Sequence, residues 1–312
     1  MTHTVVIGAG MSGLVAARSL QDHGHRVTLL DKGRRPGGRL ATRRIDGATF
    51  DHGAQFFTVR SDTFSEMVQP WIDSGLVFEW SKGFTEADGH PRYAVRGGMN
   101  ALAKQLAGEV EVRCNTLVFG IRGLGNGWAI TMDDASVVDA DALVITCPIP
   151  QSFSLLIGAD VDVPESLWRI EYDRTLALLA VLDGPTNVPA PGGVQGVDGF
   201  NFIGDNQAKG ISALPALTVH ADAVWSEAHW DDEPQRALEL LTVAAAPWIG
   251  DAKVIASQLK RWRFATPRTI WPDPCWQGPA NGPPVVLAGD AFAGPRIEGA
   301  ALSGLAAARA LL

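Results

Sequence analysis

Thr4-Val5-Val6-Ile7-Gly8-Ala9-Gly10-Met11-Ser12-Gly13 is the stretch that decides how this chain folds. Its first four residues read as a buried strand and its glycines as a tight turn. Leu14, Ala17 and Leu20 then recur on one face of a helix that runs to about His23. Arg26 to Asp31 supplies the next strand, which completes a βαβ unit in about thirty residues. In that context each glycine has a task. Gly8 permits the turn, Gly10 lets the backbone approach a pyrophosphate, and Gly13 allows the helix to pack closely on the strand. Ala9, Met11 and Ser12 sit between them, at the N-terminal end of the helix, where backbone N–H groups and the helix dipole favour an anion. Asp31, at the end of the second strand, is placed for the hydroxyls of an adenosine ribose and would repel a 2′-phosphate.

Outward from this unit, Phe64 to Trp71 and Asn100 to Leu106 read as helices. Glu111 to Val118, Gly127 to Met132 and Ser136 to Asp139 read as a β-meander turning at Gly123–Gly127. Ala142 to Cys147 is an apolar, parallel-type strand stopped by Pro148 and Pro150. From about Val161 the texture changes. Thr175 to Leu182, Ala216 to His220 and Val254 to Trp262 are strand candidates around a helix near Glu233 to Ala246. Val285 to Ala288 then returns to the buried parallel pattern, and Gly299 to Leu312 is an Ala/Leu helix.

The spacing predicts an α/β chain with a discontinuous nucleotide-binding domain (1–58, 97–160 and 268–312) and an inserted β-rich, α+β substrate domain (59–96 and 161–267). Val285 to Ala288 is expected beside Val5 to Ile7 in one parallel sheet.

Composition narrows the function classes. A chain of 312 residues with 46% hydrophobic content and 34 glycines buries a core and is not disordered. A net charge of -8 gives no general attraction to nucleic acid or to an anionic membrane. The basic run Arg34, Arg35, Arg39, Arg43, Arg44 is local and falls where a phosphate-rich cofactor would lie. Cys114, Cys147 and Cys275 lack metal-ligand spacing, and the first two read as buried thiols, which points to a reducing compartment. The loop starting at Gly8 leaves no room for a leader, and no apolar run reaches membrane-spanning length, so a cytoplasmic protein is expected.

Two further segments turn the dinucleotide reading toward FAD. Lys32 to Arg39 ends in Pro36-Gly37-Gly38-Arg39, a glycine turn offering a guanidinium that can fork onto the pyrophosphate. Leu287-Ala288-Gly289-Asp290 ends a strand with a carboxylate near the ribityl hydroxyls. The helix after Arg296, through Ile297, Glu298, Gly299 and Ala300, would aim its N-terminal N–H groups at the isoalloxazine pyrimidine ring. Reduced flavin carries negative charge there, so this arrangement favours reduction.

Together these motifs resemble the flavin amine-oxidase superfamily and its glutathione-reductase-type FAD fold. Asp51-His52-Gly53-Ala54-Gln55-Phe56-Phe57-Thr58-Val59-Arg60 resembles the DxGAQYFTxR signature of renalase-like proteins. The likeness continues through Tyr93, Gly97-Gly98-Met99, Leu143 to Pro148, Val219-His220-Ala221 and Arg261-Trp262-Arg263-Phe264. Phe56 stands where that family often has Tyr. The resemblance implies that Gln55 and Phe56 pass beside the flavin, with Val118 also on the cofactor. It implies that Phe56, Phe57, Thr58, Arg60, His220 and Arg263 line the substrate pocket. It also implies a non-covalent FAD, O₂ as electron acceptor, and 2- or 6-dihydro isomers of NAD(P)H as substrates, returned as β-NAD(P)⁺ with hydrogen peroxide.

The residues by themselves leave His220 open between an edge or core histidine and a substrate contact. Trp262 reads as packing, and Arg263 fits an anion site or a solvated cation equally. An amine oxidase or desaturase of the same superfamily, with Lys260 as the late-strand lysine, is the other enzyme reading. A flavin- or dinucleotide-binding protein without turnover is the reading from a different class.

Overall fold

The computed structural model describes residues 1–84 and 87–312, which divide into two compact units. The first comprises 1–38, 103–171 and 267–312, and the second 39–102 and 172–266.

In the first unit, six strands among the described residues form one sheet. Their order is Trp276–Gln277, Val285–Leu287, Ala142–Ile145, His3–Ile7, Arg26–Leu30, Glu111–Arg113. All neighbours run parallel except the outermost pair, Trp276–Gln277 against Val285–Leu287. Val5 lies between Leu143 and Thr28, and Val5, Val6, Leu29, Leu143 and Val144 are fully buried. That is the continuous apolar pattern of a parallel sheet covered on both faces. Val285–Leu287 therefore shares the sheet with His3–Ile7 but is one strand removed, because Ala142–Ile145 intervenes.

The expected single strand Glu111 to Val118 is two elements. Glu111–Arg113 extends the parallel sheet beside Arg26–Leu30, and Val118–Gly123 begins the three-stranded meander. Asn115 separates them in the left-handed region (φ 54°), which no continuous strand accommodates.

The second unit is built on an antiparallel sheet in the order Gly193–Val197, Phe200–Asp205, Ala216–Ala221, Tyr172–Leu182, Val254–Pro267. From residue 176 onward the strand Tyr172–Leu182 is apolar on both faces, and period-2 alternation sorts its side chains. Leu176, Leu178, Ala180 and Leu182 pack with Ala237, Leu241 and Ala245 of the helical side. Leu179 and Val181 pack with Ile45, Ala48 and Phe50 of a hairpin, Thr42–Ile45 and Ala48–Asp51.

This hairpin explains why residues 39–58 lie in the second unit rather than in the nucleotide-binding one: their apolar side chains complete its core. Residues 97–102 go with them, since the Met99 amide donates to Asp51 and the Asn100 amide to Thr42. Residues 161–171 stay with the first unit.

Candidate functional site

The first unit carries a cradle of backbone. Gly8 has φ 105° and its N–H donates to Leu30 O at 2.8 Å, which ties the turn to the second strand. A Cβ at Gly13 would run into the Gly8 carbonyl, so the helix Met11–Asp22 sits against the turn as closely as a backbone allows. Gly10 differs: a Cβ there would meet nothing within 4 Å, and the helix N-terminus it caps has no side-chain cap.

Ser12, buried on the first turn, has a hydroxyl without a hydrogen-bond partner. Gly37 donates to Ala9 O at 2.7 Å, and Gly38 (φ 53°) passes close enough that a Cβ would lie 3.3 Å from Gly10 Cα. Open space over an uncapped helix N-terminus, an orphan hydroxyl and a glycine-lined floor fit the pyrophosphate of a dinucleotide.

Asp31 has a structural task that its sequence position did not reveal. Its two carboxylate oxygens each accept a backbone N–H at 2.6 Å, from Ala9 and from Gly33. This clamps the loop and leaves further lone pairs for a ribose. Lys32 follows on the same loop.

The C-terminal half of the cradle is Gly289–Ala293 and the helix Ile297–Arg309. Gly289 (φ 148°) donates to the buried Ser303 hydroxyl at 2.9 Å. A short helix, Asp290–Ala293, was not expected from the sequence. Asp290 and Glu298 are both buried, at 8% and 6% exposure, and Gly299 packs onto the carbonyls of Ala293 and Gly294. Val118 is buried at the start of its strand.

Cys114 and Cys147 are free; Cys114 is only half-buried, contrary to expectation, whereas the Cys147 thiol is enclosed although the residue as a whole is partly exposed. The Cys147 sulfur lies 3.9 Å from Ile7 O, and burial pushes its thiol up to about 12.

In the second unit, polar groups gather on the turn after the hairpin. Asp51 is fully buried and accepts from Lys209 Nζ at 2.7 Å, Thr42 Oγ1 at 2.7 Å and Met99 N at 2.8 Å. Lys209 is equally buried, and its ammonium stands 5.1 Å from the centre of the Trp80 ring. Burial pulls its pKa below the usual lysine range, and the Asp51 carboxylate pulls back. Asn206 ties the same turn down: its oxygen accepts from Asp51 N, and its amide nitrogen donates to Ala216 O and Thr218 Oγ1.

His52 offers its carbonyl to two donors, Trp262 Nε1 at 2.6 Å and His220 Nε2 at 3.1 Å. A carbonyl only accepts, so His220 carries its hydrogen on Nε2. The His52 ring stacks on Trp262 at 5.4 Å. Trp262 is thus both packing and a hydrogen-bond donor.

Of the substrate-lining residues implied by the resemblance, the structure gathers some and not others. Gln55 and His220 belong to this cluster. Phe56 joins an aromatic panel with Phe84 at 5.1 Å and Phe202 at 5.7 Å. Phe57 does not line a cavity: it is 3% exposed, pairs through its backbone with Tyr93 and packs on Phe64, because the next residue on an extended segment faces the opposite side. Thr58 is half-buried, while Arg60 and Arg263 are exposed.

Arg39, read as a pyrophosphate fork, belongs to the second unit and donates to the carbonyls of Phe264 and Ala265 at 3.4 and 3.1 Å. Lys260 is half-buried on the long strand Val254–Pro267.

Burial pushes His220 down to about 4 and His52 down to about 3. Both imidazoles are therefore neutral near pH 7. The unfolded chain binds these protons near 6.5 while the folded chain does not, so stability is present above about pH 6.5. It is lost as pH falls toward 4, by about 1.4 kcal/mol per pH unit for each histidine. Urea unfolding at a series of pH values is expected to show this slope in the wild type and to lose about half of it in His52→Phe.

The first unit is thus a doubly wound dinucleotide-binding domain, and the second an antiparallel sheet with a buried polar turn. Residues 6–71 match the family model of the NAD(P)-binding Rossmann-like domain, and residues 74–169 that of flavin containing amine oxidoreductases. Both matches are partial, and they liken the chain to flavin containing amine oxidoreductases that carry an NAD(P)-binding Rossmann-like domain.

Among its relatives is the neurosporene-forming phytoene desaturase of Rhodobacter capsulatus, 42% identical over 79 residues; the match covers 25% of this chain and 14% of that protein. An L-amino-acid oxidase of Siganus canaliculatus is 55% identical over 42 residues, covering 14% of this chain and 8% of that one. The solved structure of cyclohexylamine oxidase from Brevibacterium oxydans shares the fold over 99% of this chain and 98% of its own, with a TM-score of 0.73 and 15% identity. Among the described residues, no helix is long and apolar enough to cross a membrane.

Proposed function

We propose that this chain is a renalase-like, FAD-dependent oxidase of a dihydronicotinamide dinucleotide, the 2- or 6-dihydro isomer of NAD(P)H. When bound, the flavin supplies the two-electron acceptor and passes the electrons to O₂ as hydrogen peroxide.

The residues that would hold it are Gly8 to Gly13, Asp31, Lys32, Gly38, Gly289, Asp290 and Ile297 to Ala300. Binding is non-covalent in this reading. No cysteine lies between Asp290 and Leu312, and Cys147, with its thiol pushed up to about 12, is a poor nucleophile. Denaturation is expected to release the flavin into the supernatant.

The observation that carries the substrate assignment is the Asp51–Arg60 stretch, the most specific part of the resemblance. It is also the stretch around which His220, Trp262 and Lys209 gather. Its histidines take up a proton only near pH 4 and below, which makes them weak bases at pH 7, and its lysine is paired with Asp51, so the cluster supplies mainly shape and hydrogen bonds. A dihydropyridine suits such a site, because its ring nitrogen lone pair drives hydride departure without proton removal by the protein. The Phe56 ring, lacking the tyrosine hydroxyl, supplies an apolar wall.

Peroxide production in air should follow addition of the 2- and 6-dihydro isomers. The His220→Ala variant should slow turnover and keep its flavin. Loss of flavin from that variant would assign His220 to the cofactor instead.

The second reading, an amine oxidase or desaturase, draws on the named activities of the relatives. In that case simple amines would produce the peroxide.

A further inference from the structure

The turn that binds Lys209 also carries a buried acceptor the fold leaves unused. Gln55 is 5% exposed, and its amide nitrogen donates to Asp51 O at 2.7 Å and to Gly53 O at 3.3 Å. These two partners are carbonyls, which cannot donate, and the third neighbour of the nitrogen, His220 Nε2 at 3.5 Å, is bonded to His52 O at the shorter distance of 3.1 Å. The nitrogen must face them, and Oε1 is thereby fixed on the other side. In that orientation Oε1 is buried with no hydrogen-bond partner.

The donors around it are committed elsewhere: His220 Nε2 and Trp262 Nε1 to His52 O, and Lys209 Nζ to Asp51. A buried oxygen without a donor is uncommon, and it marks a place where something absent from the polypeptide completes the bond.

Its surroundings describe the donor. A Cβ added at Gly204 would stand 3.4 Å from Gln55 Oε1 and 2.9 Å from the Phe202 ring edge, so the acceptor lies beside bare backbone at the rim of that ring. Phe202 in turn neighbours Phe56 at 5.7 Å, Phe84 at 5.3 Å and Trp80 at 6.2 Å. The aromatic surface beside it suits a flat ring, and the oxygen suits an N–H carried on that ring. An ammonium is disfavoured: the Asp51 carboxylate is taken by Lys209, Thr42 and Met99 N, and Lys209 adds positive charge to the same cluster.

We infer that Gln55 Oε1 is a specificity-determining acceptor for the N–H of a neutral primary carboxamide borne on a planar ring of the substrate. This rests on the reading that the second unit serves substrate, and it adds the group that is recognised and the atom that recognises it. Asp51 O and Gly53 O act as the positioning groups, since they decide which end of the Gln55 amide is presented.

The test uses the yellow, flavin-bearing protein and two probes that are not oxidised, benzamide and acetophenone. They share ring and carbonyl and differ only in NH₂ against CH₃. Titration calorimetry is expected to show benzamide binding about tenfold more tightly, the worth of one neutral hydrogen bond, and more tightly than benzylammonium. In Gln55→Met the benzamide preference should fall to about one.

Equal affinities in the wild type would overturn the proposal and leave a buried water as the partner of Oε1. So would a preference that survives in Gln55→Met, tightest binding by benzylammonium, or binding by neither aromatic. If Gln55→Met fails to fold, the wild-type ratio alone decides. Should the dihydro isomers leave the flavin oxidised while the benzamide preference stands, the functional reading fails and this one does not. Reduction by the isomers without that preference has the opposite meaning.

Discussion

A Gly10→Val variant is expected to fold with near-normal stability and to purify without flavin. The backbone at Gly10 is extended (φ -78°, ψ -176°), a region that β-branched residues favour. A side chain there meets no protein atom within 4 Å. The valine would instead project into the open space over the N-terminus of the helix Met11–Asp22, where the pyrophosphate must approach the backbone.

Gly13→Ala makes the contrast. Its Cβ would strike the Gly8 carbonyl and bring the Thr146 hydroxyl within 2.9 Å, so the strand–helix junction must open. Thermal melts and the flavin-to-protein absorbance ratio separate the two effects. Gly10→Val should lose flavin and keep its melt, while Gly13→Ala should lose both. Full occupancy in Gly10→Val would remove the cofactor assignment of this loop.

The second large effect concerns the buried ion pair. Lys209→Met is expected to destabilise the protein by about 3–5 kcal/mol, because it strands the Asp51 carboxylate in a site with no exposure. Thr42 Oγ1 and Met99 N remain as donors, but neither carries the compensating charge. The double variant Asp51→Asn with Lys209→Met should recover most of the loss, since neutralising both partners removes the desolvation penalty as well as the attraction. Urea unfolding of the four proteins of the cycle measures this. A Lys209→Met cost within about 1 kcal/mol would mean that water reaches the pair.

That pair also shows where the sequence was hard to read. The dinucleotide loop was legible because its chemistry is local: three glycines at fixed spacing, a strand before and a helix after. Lys209 lies in Asp205-Asn206-Gln207-Ala208-Lys209-Gly210, which reads as a solvated polar turn. It is buried because Asp205 accepts the amides of Gln207 and Ala208, folding the turn inward, and because Asp51, 158 positions away, meets the ammonium. Lys260, on the late strand, is the more conspicuous lysine in sequence because that long-range partner leaves no local trace.

Two missed hairpins did carry a signal. Asp46-Gly47 links Ile45 to Ala48, and Asp198-Gly199 links Val197 to Phe200, both as two-residue Asp-Gly turns. The charged residues Arg43 and Arg44 disguised the first as a phosphate-binding run. Both are exposed, on a hairpin whose core-facing residues are Ile45, Ala48 and Phe50. The Asp51–Arg60 stretch was legible as a signature, yet only the fold separates Phe56, on the aromatic panel, from Phe57, in the core. Side-chain direction along an irregular segment depends on pairing, here with Tyr93, that no local pattern encodes.

The central claim is tested most directly by mixing the purified yellow protein, without oxygen, with the 2- and 6-dihydro isomers of NAD(P)H while following flavin absorbance. The account predicts rapid, stoichiometric bleaching by these isomers, release of β-NAD(P)⁺, and slow or no bleaching by the ordinary 4-dihydro form. Rapid bleaching by simple amines, or an unchanged spectrum with both isomers, would contradict it.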